Sequence, residues 1–331
     1  AMLLPVIYLL LRSLGIGVEA FDHLLQRRNL VVLLNSVMLA VIVTAISLVV
    51  ALPLAWLTVR TDLPGRRIWS VLTALPLVFP SYVGGYALVA MLGPRGMVQH
   101  FLEPLGVERL PSIYGLPGAV WALTLFTYPY LLLSIRAGLR NMDPALEEAA
   151  HSLGHGRWPT FHRVTLPMLR PSIAAGVLLV ALYVLSDFGA VSILRFNSFT
   201  RAIYIQYLSS FDRAYAGLLS LILVAMTVLI LFAAQRVQGR RRQFYRTSVG
   251  AARATHPIKL GRMKWPALLF CSTVVVAALV MPLSVVLYWL FRGLIAGESL
   301  APALMATYNS LRAAILAATA ATVLAMPVSY L

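Results

Sequence analysis

Polar residues with the spacing of a binding helix lie between positions 143 and 154 of this 331-residue chain. Asp143 can cap a helix that begins at Pro144, because a carboxylate accepts backbone N–H groups and proline suits the first helical position. Gly154 suits the residue just after the helix, where φ is positive. We therefore predict a short helix over 144–153 and call it the predicted binding helix, because its chemistry is contact with a partner protein or with the lipid interface rather than the making or breaking of bonds.

One face of this predicted helix is apolar. Its members recur at the i, i+3, i+4 and i+7 positions of a helix and are Leu146, Ala149, Ala150 and Leu153. The small alanines would let a partner approach closely, and the helix dipole favours Glu147 and Glu148 near the helix start. Because two long apolar runs flank the helix, this face must meet either a partner protein or the lipid interface. Thr160 is predicted to cap a second helix, and Leu166-Pro167 to mark the return to the bilayer.

Other residues able to do chemistry are few. Asp187 is the only acid well inside a full apolar run, where a charge costs about 2.5–3.5 kcal/mol on insertion scales. It either lines a pathway or is a structural acid that bonds a neighbouring helix or caps an irregular helix end. His151 and His155 have helical spacing, but Gly154 separates them and nothing completes a metal site. Lone Cys271 permits no internal disulfide. The sequence has no GxxxxGK[ST] run, so we do not expect it to hydrolyse ATP.

Membrane-spanning helices must position these residues. The chain is 60% hydrophobic and 11% charged, against about 45–50% and about 25% in soluble domains, which predicts an all-α membrane protein, a polytopic helical bundle. Crossing the hydrocarbon takes about 20 residues. Six runs are long enough, 30–59, 68–92, 116–133, 172–194, 215–234 and 265–291, and two are partial, 2–11 and 305–331. Four prolines are expected to distort their helices, namely Pro53, Pro76, Pro80 and Pro129.

The basic residues predict which loops share a side. The net charge of +16 indicates cytoplasmic loops rather than nucleic-acid binding, because membrane proteins concentrate Lys and Arg there. Loops 60–67, 134–171 and 235–264 carry 17 basic residues, against 9 in the segments on the other side. The first three loops are therefore predicted to be cytoplasmic. Aromatic residues of the opposite side form either an interfacial belt or a docking surface, and they are Tyr114, Phe196, Phe199, Tyr204, Tyr207 and Phe211.

An internal repeat divides the chain. Residues 35–57 and 309–331 are identical at 7 of 23 positions, including the pairs Asn35/Asn309, Ser36/Ser310 and Pro53/Pro327. Six predicted crossings separate the copies, so both run in the same direction. We predict a first half at 1–234, a basic linker at 235–264 that lies near anionic lipid, and the start of a truncated second half at 265–331.

The spacing around the predicted binding helix resembles a known motif. Glu148-Ala149-Ala150, three residues, Gly154, nine residues, and then Val164-Thr165-Leu166-Pro167 are similar to the EAA loop of ABC importer permeases, with Val164 in place of Ile. The resemblance implies a type I importer permease of MetI-like fold, here a fragment of a fused two-half permease in the bacterial cytoplasmic (inner) membrane. The EAA-like loop would then be 144–167.

The resemblance also implies partners. A cytoplasmic ABC ATPase dimer, which uses the ATP, would dock on Leu146, Glu148, Ala149, Ala150, Leu153, Gly154, Leu166 and Pro167. This chain would bind no cofactor and catalyse no reaction. An extracytoplasmic substrate-binding protein would deliver the substrate. The stretch 186–217 is similar to ferric-iron permeases, which implies Fe(III) as substrate. Thiamine, phosphonate, polyamine and sulfate permeases are the alternatives.

Two other classes of protein remain for comparison. An ion-coupled secondary transporter would bury ionisable coupling residues at mid-membrane, and Asp187 is the only candidate. A membrane-anchored scaffold would not need a parallel repeat. The sequence therefore favours the importer permease.

Overall fold

Helices account for most of the structure, a computed structural model that describes residues 4–13, 27–94, 96–107, 110–209, 213–239 and 257–330. The helices are α1 (Leu4–Ser13), α2 (Arg27–Arg60), α3 (Arg66–Leu72), α4 (Ser81–Leu92), α5 (Met97–Leu102), α6 (Leu116–Asn141), α7 (Pro144–Ser152), α8 (Arg157–Thr160), α9 (Leu166–Ser186), α10 (Gly189–Ile193), α11 (Phe199–Ser209), α12 (Arg213–Gly239), α13 (Lys264–Val275), α14 (Met281–Ile295) and α15 (Ala301–Tyr330). Two π-helical turns, Phe161–Thr165 and Val276–Val280, join α8 to α9 and α13 to α14.

Six helical segments within the described ranges are long and apolar enough to cross a membrane. They are Arg27–Arg60, Leu116–Asn141, Trp158–Ser186, Tyr215–Arg236, Gly261–Ile295 and Ala301–Met326. These segments confirm the predicted all-α bundle. The last of them begins at Ala301, before the apolar run 305–331 that was predicted to be only a partial span.

The run 68–92 is not one continuous helix, and the distortion predicted at Pro76 and Pro80 takes the form of a break. The segments Arg66–Val78 and Ser81–Leu105 meet at a bend of 97°. Pro76 and Pro80 lie at the break, where the absence of their N–H groups removes the hydrogen bonds that would continue the helix. By contrast, Pro53 and Pro129 lie inside continuous helices.

The run 172–194 is also not a single helix. Helix α9 ends at Ser186, Asp187 takes an extended conformation, and the short α10 follows. A hydrophobic run therefore predicts the location of a span better than it predicts the last residue of its helix.

The core of the first unit is formed where α2, α6 and α9 pack against one another. Glycines permit the close approach of α6 and α9. A Cβ on Gly138 would lie 2.8 Å from Ser172 Cβ, and one on Gly176 would lie 3.0 Å from Leu131 Cα. Cys271 of α13 is fully buried in this core, as expected of a small apolar side chain.

The repeated Asn-Ser pair has a structural role in the first copy. Ser36 Oγ accepts a hydrogen bond from the Phe199 backbone N–H at 2.8 Å, and Asn35 Nδ2 donates to the Asn197 carbonyl at 3.3 Å. The pair therefore fastens the start of α11 to α2. Both copies of the repeat are helical, as predicted, and their parallel arrangement stays a prediction.

The chain divides into two compact units, residues 1–283 and 284–331. Helix α13 belongs to the first unit, in which the π-helical turn after it packs against α6. The second unit contains α15, whose side chains from 301 to 326 are all exposed. Residues 240–256 of the predicted basic linker lie outside the described residues.

The close packing of α6 and α9 predicts a stability difference between two helical glycines. Gly138→Ala forces a Cβ onto Ser172 and should lower the free energy of unfolding by about 1–3 kcal/mol, the usual cost of overpacking. Gly217→Ala is the control, because its Cβ would meet only Leu9 Cδ2 at 3.9 Å. Thermal unfolding of both purified variants in detergent, followed by tryptophan fluorescence, tests this. Equal stability of the two variants would contradict it.

Candidate partner-docking site

The predicted binding helix is present as α7. Asp143 Oδ1 accepts a hydrogen bond from the Ala145 N–H at 3.0 Å, so the carboxylate caps the helix start. Gly154 has a φ of +81°, and the His155 N–H donates to the Ala150 carbonyl at 3.0 Å. The helix ends at Ser152, one residue before the predicted end. Its boundaries are thus set by the local signals read from the sequence.

The four apolar residues of α7 do not form a single outward face. Ala150 is only 6% exposed and packs against its own chain, whereas Leu146 is 46% exposed and Leu153 is 79% exposed. Ala149 and Glu148 are also exposed. We call Leu146 and Ala149, together with Leu153 directly after the helix, the outer face of α7. It is an exposed apolar surface on a helix outside the candidate spans, the property that both sequence hypotheses, partner docking and contact with the lipid interface, require.

A buried ion pair fixes the opposite side of α7. Glu147 Oε2 lies 3.5 Å from Arg60 Nη1, and the side chain of Arg60 is only 3% exposed. Thr165 Oγ1 donates a 2.7 Å hydrogen bond to Glu147 Oε1. Glu147 therefore connects α7 to the end of α2 and to the start of α9. The EAA-like motif contains Glu148 and not Glu147, so the sequence did not predict the ion pair of Glu147. The signal that could have indicated an inward-facing Glu147 is that it shares a helical face with Ala150.

The segment after α7 differs in part from the prediction. Thr160 does not cap a helix start: it lies inside the continuous helical stretch 157–186, where its hydroxyl donates to the Gly156 carbonyl at 3.0 Å. Leu166 and Pro167 begin α9 and are partly buried. The Leu166 N–H donates to the Phe161 carbonyl, five residues earlier, and closes the π-helical turn.

Aromatic rings line a groove beside this turn. Phe161 meets Trp56 of α2 edge-on, with ring centroids 4.9 Å apart, and stacks on Trp158 at 5.8 Å. The groove has a volume of about 610 Å³ and continues to Leu260 and Met263 before α13. The residues next to α7 thus join α2 to the segment that leads into α13.

Asp187 has the contacts of a structural acid. Its carboxylate is largely buried, and Oδ1 accepts hydrogen bonds from the Ala190 N–H at 3.0 Å and the Val191 N–H at 3.4 Å. Its carbonyl accepts a 2.6 Å hydrogen bond from Thr200 Oγ1. These contacts match the alternative in which Asp187 caps an irregular helix end, here the start of α10.

The aromatic residues of the opposite side fall into two groups. Phe196 and Phe199 are buried, so they serve neither as a belt nor as a docking surface. Tyr204 and Tyr207 of α11 are about half exposed, while the Arg195 guanidinium lies over the Tyr114 ring at 5.0 Å. Phe211 lies outside the described residues.

The described histidines are not part of a cluster of three potential metal ligands. No three His, Cys, Asp or Glu side chains converge within the ranges that the structure describes. His151 Nδ1 instead lies 2.9 Å from the His155 carbonyl oxygen. His23 and His256 fall outside those ranges.

Arg136 of α6 is buried, whereas the sequence pattern predicted it only as one of the basic residues of the loop 134–171. Its guanidinium donates to Thr58 Oγ1 at 3.0 Å, to the Ser70 carbonyl at 2.7 Å and to Thr73 Oγ1 at 2.7 Å. All three acceptors are neutral. Arg136 thereby joins α2, α3 and α6 at the end of the bundle that carries α7.

The three loops predicted to share one side of the membrane meet at this end. The Arg60–Glu147 pair joins the first loop to the second, and a 3.0 Å ion pair between Asp62 and Lys264 joins the first loop to the third. The hydrogen bond from the Leu260 N–H and the charge of Lys264 hold the pKa of Asp62 below its usual value. These contacts agree with the grouping of loops that the charge pattern predicts.

Comparison with known proteins gives a consistent result. Residues 46–243 match the family model described as "Binding-protein-dependent transport system inner membrane component". An Fe(3+)-transport system permease protein of Haemophilus influenzae is 30% identical over 293 residues, which are 88% of this chain and 54% of that protein. This chain thus spans about half the length of that relative.

Relatives with other substrates in their names also match. The molybdenum transport system permease protein ModB of Escherichia coli is 35% identical over 47% of this chain and 69% of its own. The sulfate transport system permease protein CysT of Escherichia coli is 29% identical over 58% of this chain and 70% of its own. A chain of the bacterial alginate ABC transporter in complex with its periplasmic protein shares the fold, with a TM-score of 0.60 and 19% identity over 74% of this chain and 90% of that chain.

The positive φ of Gly154 predicts a difference between two substitutions there. A Cβ on Gly154 would meet nothing within 4 Å, so only backbone strain opposes a side chain. Gly154→Val should destabilise the end of α7 by about 1–2 kcal/mol and speed amide exchange of residues 151–155 roughly tenfold. Gly154→Asn is the control, because asparagine tolerates this conformation. Equal exchange protection of the two variants, measured by mass spectrometry, would contradict the prediction.

Proposed function

Because this chain belongs to the family of binding-protein-dependent transport system inner membrane components, we propose that it forms the transmembrane permease part of an ATP-driven importer. The family match covers more than half of the chain, and the six candidate spans fit a multi-pass protein of the bacterial inner membrane. The permease forms the pathway for the substrate. A separate pair of ATPase subunits binds and hydrolyses ATP, and this chain itself holds no cofactor.

The observation that carries this proposal is the two-sided environment of α7. Glu147 fixes one side of the helix to the end of α2, while Leu146, Ala149 and Leu153 stay exposed on the other. A short helix held by a buried ion pair moves together with the helices it is fixed to. Its exposed apolar face therefore suits the ATPase as a point of attachment, and a closing ATPase dimer would displace the end of α2 through it.

The proposed importer also includes a substrate-binding protein, which docks on the side of the membrane opposite α7. Helix α11 presents Tyr204 and Tyr207 to the surface there. Tyrosine suits such a contact because it combines a large apolar ring with a polar hydroxyl. The fold neighbour from the alginate transporter, which was crystallised with its periplasmic protein, supports the same arrangement here.

A second half, fused to the first, belongs to the proposal. The repeat places a second copy of the α2 sequence in α15. An apolar helix whose side chains are all exposed from 301 to 326 needs partners other than the residues that the structure describes. A second half related to the first by a parallel repeat would provide them.

Fe(III) is the proposed substrate. The Fe(3+) permease of Haemophilus influenzae matches 88% of this chain, whereas molybdenum and sulfate relatives match 47% to 73% of it. The longer match includes the stretch 186–217 that resembles ferric-iron permeases. Molybdate, sulfate, thiamine, phosphonate and polyamine are the competing substrates.

The alternative of an ion-coupled secondary transporter has less support. Coupling residues are ionisable groups that change protonation or ion occupancy inside the membrane. Among the described spans, Asp187 is capped by backbone N–H groups and Arg136 donates to three neutral acceptors. Both have the contacts of structural residues.

The outer face of α7 gives a direct test of ATPase docking. Leu153→Asp places a charge on a side chain that is 79% exposed, so the fold should be unaffected while the apolar contact with the ATPase is lost. We expect binding of the partner ATPase to weaken at least about tenfold, since a truncated interface anchor costs about 2 kcal/mol or more. Leu105→Asp is the control, because Leu105 is 73% exposed and lies on the predicted opposite side. Pull-down of the ATPase with both purified variants is the measurement, and equal retention would overturn the docking role.

Substrate identity is tested with the complete complex. The full permease, its ATPase and its own binding protein are reconstituted in proteoliposomes and supplied with ATP. We expect uptake of labelled Fe(III) to exceed uptake of molybdate, sulfate, thiamine, phosphonate and a polyamine. ATP-dependent uptake of one of these competitors without Fe(III) uptake would reject the iron assignment and keep the importer. Uptake that persists without the ATPase would reject the importer.

A further inference from the structure

The last residues of α2 pair with the segment that leads into α13. The Ile258 N–H donates to the Arg60 carbonyl at 2.8 Å, and the Asp62 N–H donates to the Ile258 carbonyl at 3.1 Å. Thr61 and Ile258 form an isolated parallel bridge. Two segments nearly 200 residues apart in sequence are therefore joined through their backbones.

Asp62 strengthens this junction through both carboxylate oxygens. Oδ1 accepts the Leu260 N–H at 2.8 Å, and Oδ2 lies 3.0 Å from Lys264 Nζ. These two partners flank the turn Gly261–Met263, so a single side chain holds the residues before and after it. We call the contacts of Thr61 and Asp62 with Ile258, Leu260 and Lys264 the clamp.

The clamp is continuous with the anchor of α7. The Arg60 carbonyl belongs to the backbone pairing with Ile258, and the Arg60 side chain forms the ion pair with Glu147. One residue thus connects the proposed docking helix to the start of α13. Helix α13 in turn opens the predicted second half of the chain.

The Arg60–Glu147 ion pair does not use all the hydrogen-bond donors of the Arg60 guanidinium. Its shortest N–O distance is 3.5 Å, longer than the 2.7–2.9 Å of a tight charge-assisted hydrogen bond. Arg60 Nε and Nη2 are buried and have no hydrogen-bond partner among the described residues. The guanidinium therefore has N–H groups free to follow Glu147 when α7 shifts.

We propose that Arg60 and the clamp form a mechanical junction that passes displacement of α7 to α13, and thereby to the second half of the permease. This proposal rests on the proposed function, since it assigns a route to the movement that the ATPase produces. In this arrangement Asp62 and Glu147 are positioning residues. Neither contacts substrate or ATP, and both act on the same junction from opposite ends.

The test measures substrate transported per ATP hydrolysed by the complete reconstituted complex. Asp62→Ala removes the acceptor for Leu260 and the partner of Lys264. We expect the ratio to fall at least about fivefold, the lower end of typical coupling between sites, while the ATPase remains bound. Glu103→Ala is the matched control, because Glu103 is an exposed acid on the predicted opposite side. If Asp62→Ala fails to assemble, Asp62→Asn, which keeps an oxygen for Leu260, should lower the ratio in the same direction.

A double-mutant cycle separates the junction from two unrelated structural effects. If Asp62 and Glu147 act through one junction, the double variant Asp62→Ala/Glu147→Gln should lose no more coupling than the worse single variant, within about twofold. Losses that multiply, or an Asp62 variant with the wild-type ratio, would overturn the proposal. Failure of the wild-type complex to couple uptake to ATP hydrolysis would instead reject the proposed function, so the two failures are distinguishable.

Discussion

The break in the helix over 68–92 depends on side chains that α6 contributes. A break frees backbone carbonyls, and in a bilayer these must be satisfied by the protein itself. Tyr128 donates to the Thr73 carbonyl at 2.7 Å, and Arg136 donates to the Ser70 carbonyl at the same distance. Arg136 also reaches Thr58 of α2. The two side chains therefore make the break tolerable and fix the broken span to the central helices.

The second buried arginine at this end of the bundle has a different character. Arg136 is held by three short bonds to neutral acceptors, which suits a rigid base. Arg60 has one ionic partner at 3.5 Å and two nitrogens without hydrogen bonds among the described residues. A buried charge with incomplete pairing is costly. The cost is consistent with a link that must accommodate more than one position of α7.

Local signals in the sequence were sufficient for α7. Asp143, Pro144 and Gly154 act within one helical turn of themselves, so they mark the helix without knowledge of the rest of the fold. Hydropathy did not predict the break in 68–92, because it sums over residues and does not record where backbone hydrogen bonds stop, whereas Pro76 and Pro80 marked the place of the distortion in the sequence. The role of Asp187 also stayed open at the level of the sequence. Its carboxylate caps the backbone N–H groups of Ala190 and Val191, and these groups come together only in the turn that the same carboxylate stabilises.

The adjacent glutamates of α7 show how one helix can be both anchored and available. Successive residues on an α-helix point about 100° apart. Glu147 therefore faces Arg60 and Thr165, while Glu148 is exposed beside Ala149. The helix register that exposes Glu148 and Ala149 is thus the same register that pairs Glu147 with α2, so the anchor and the exposed face constrain each other.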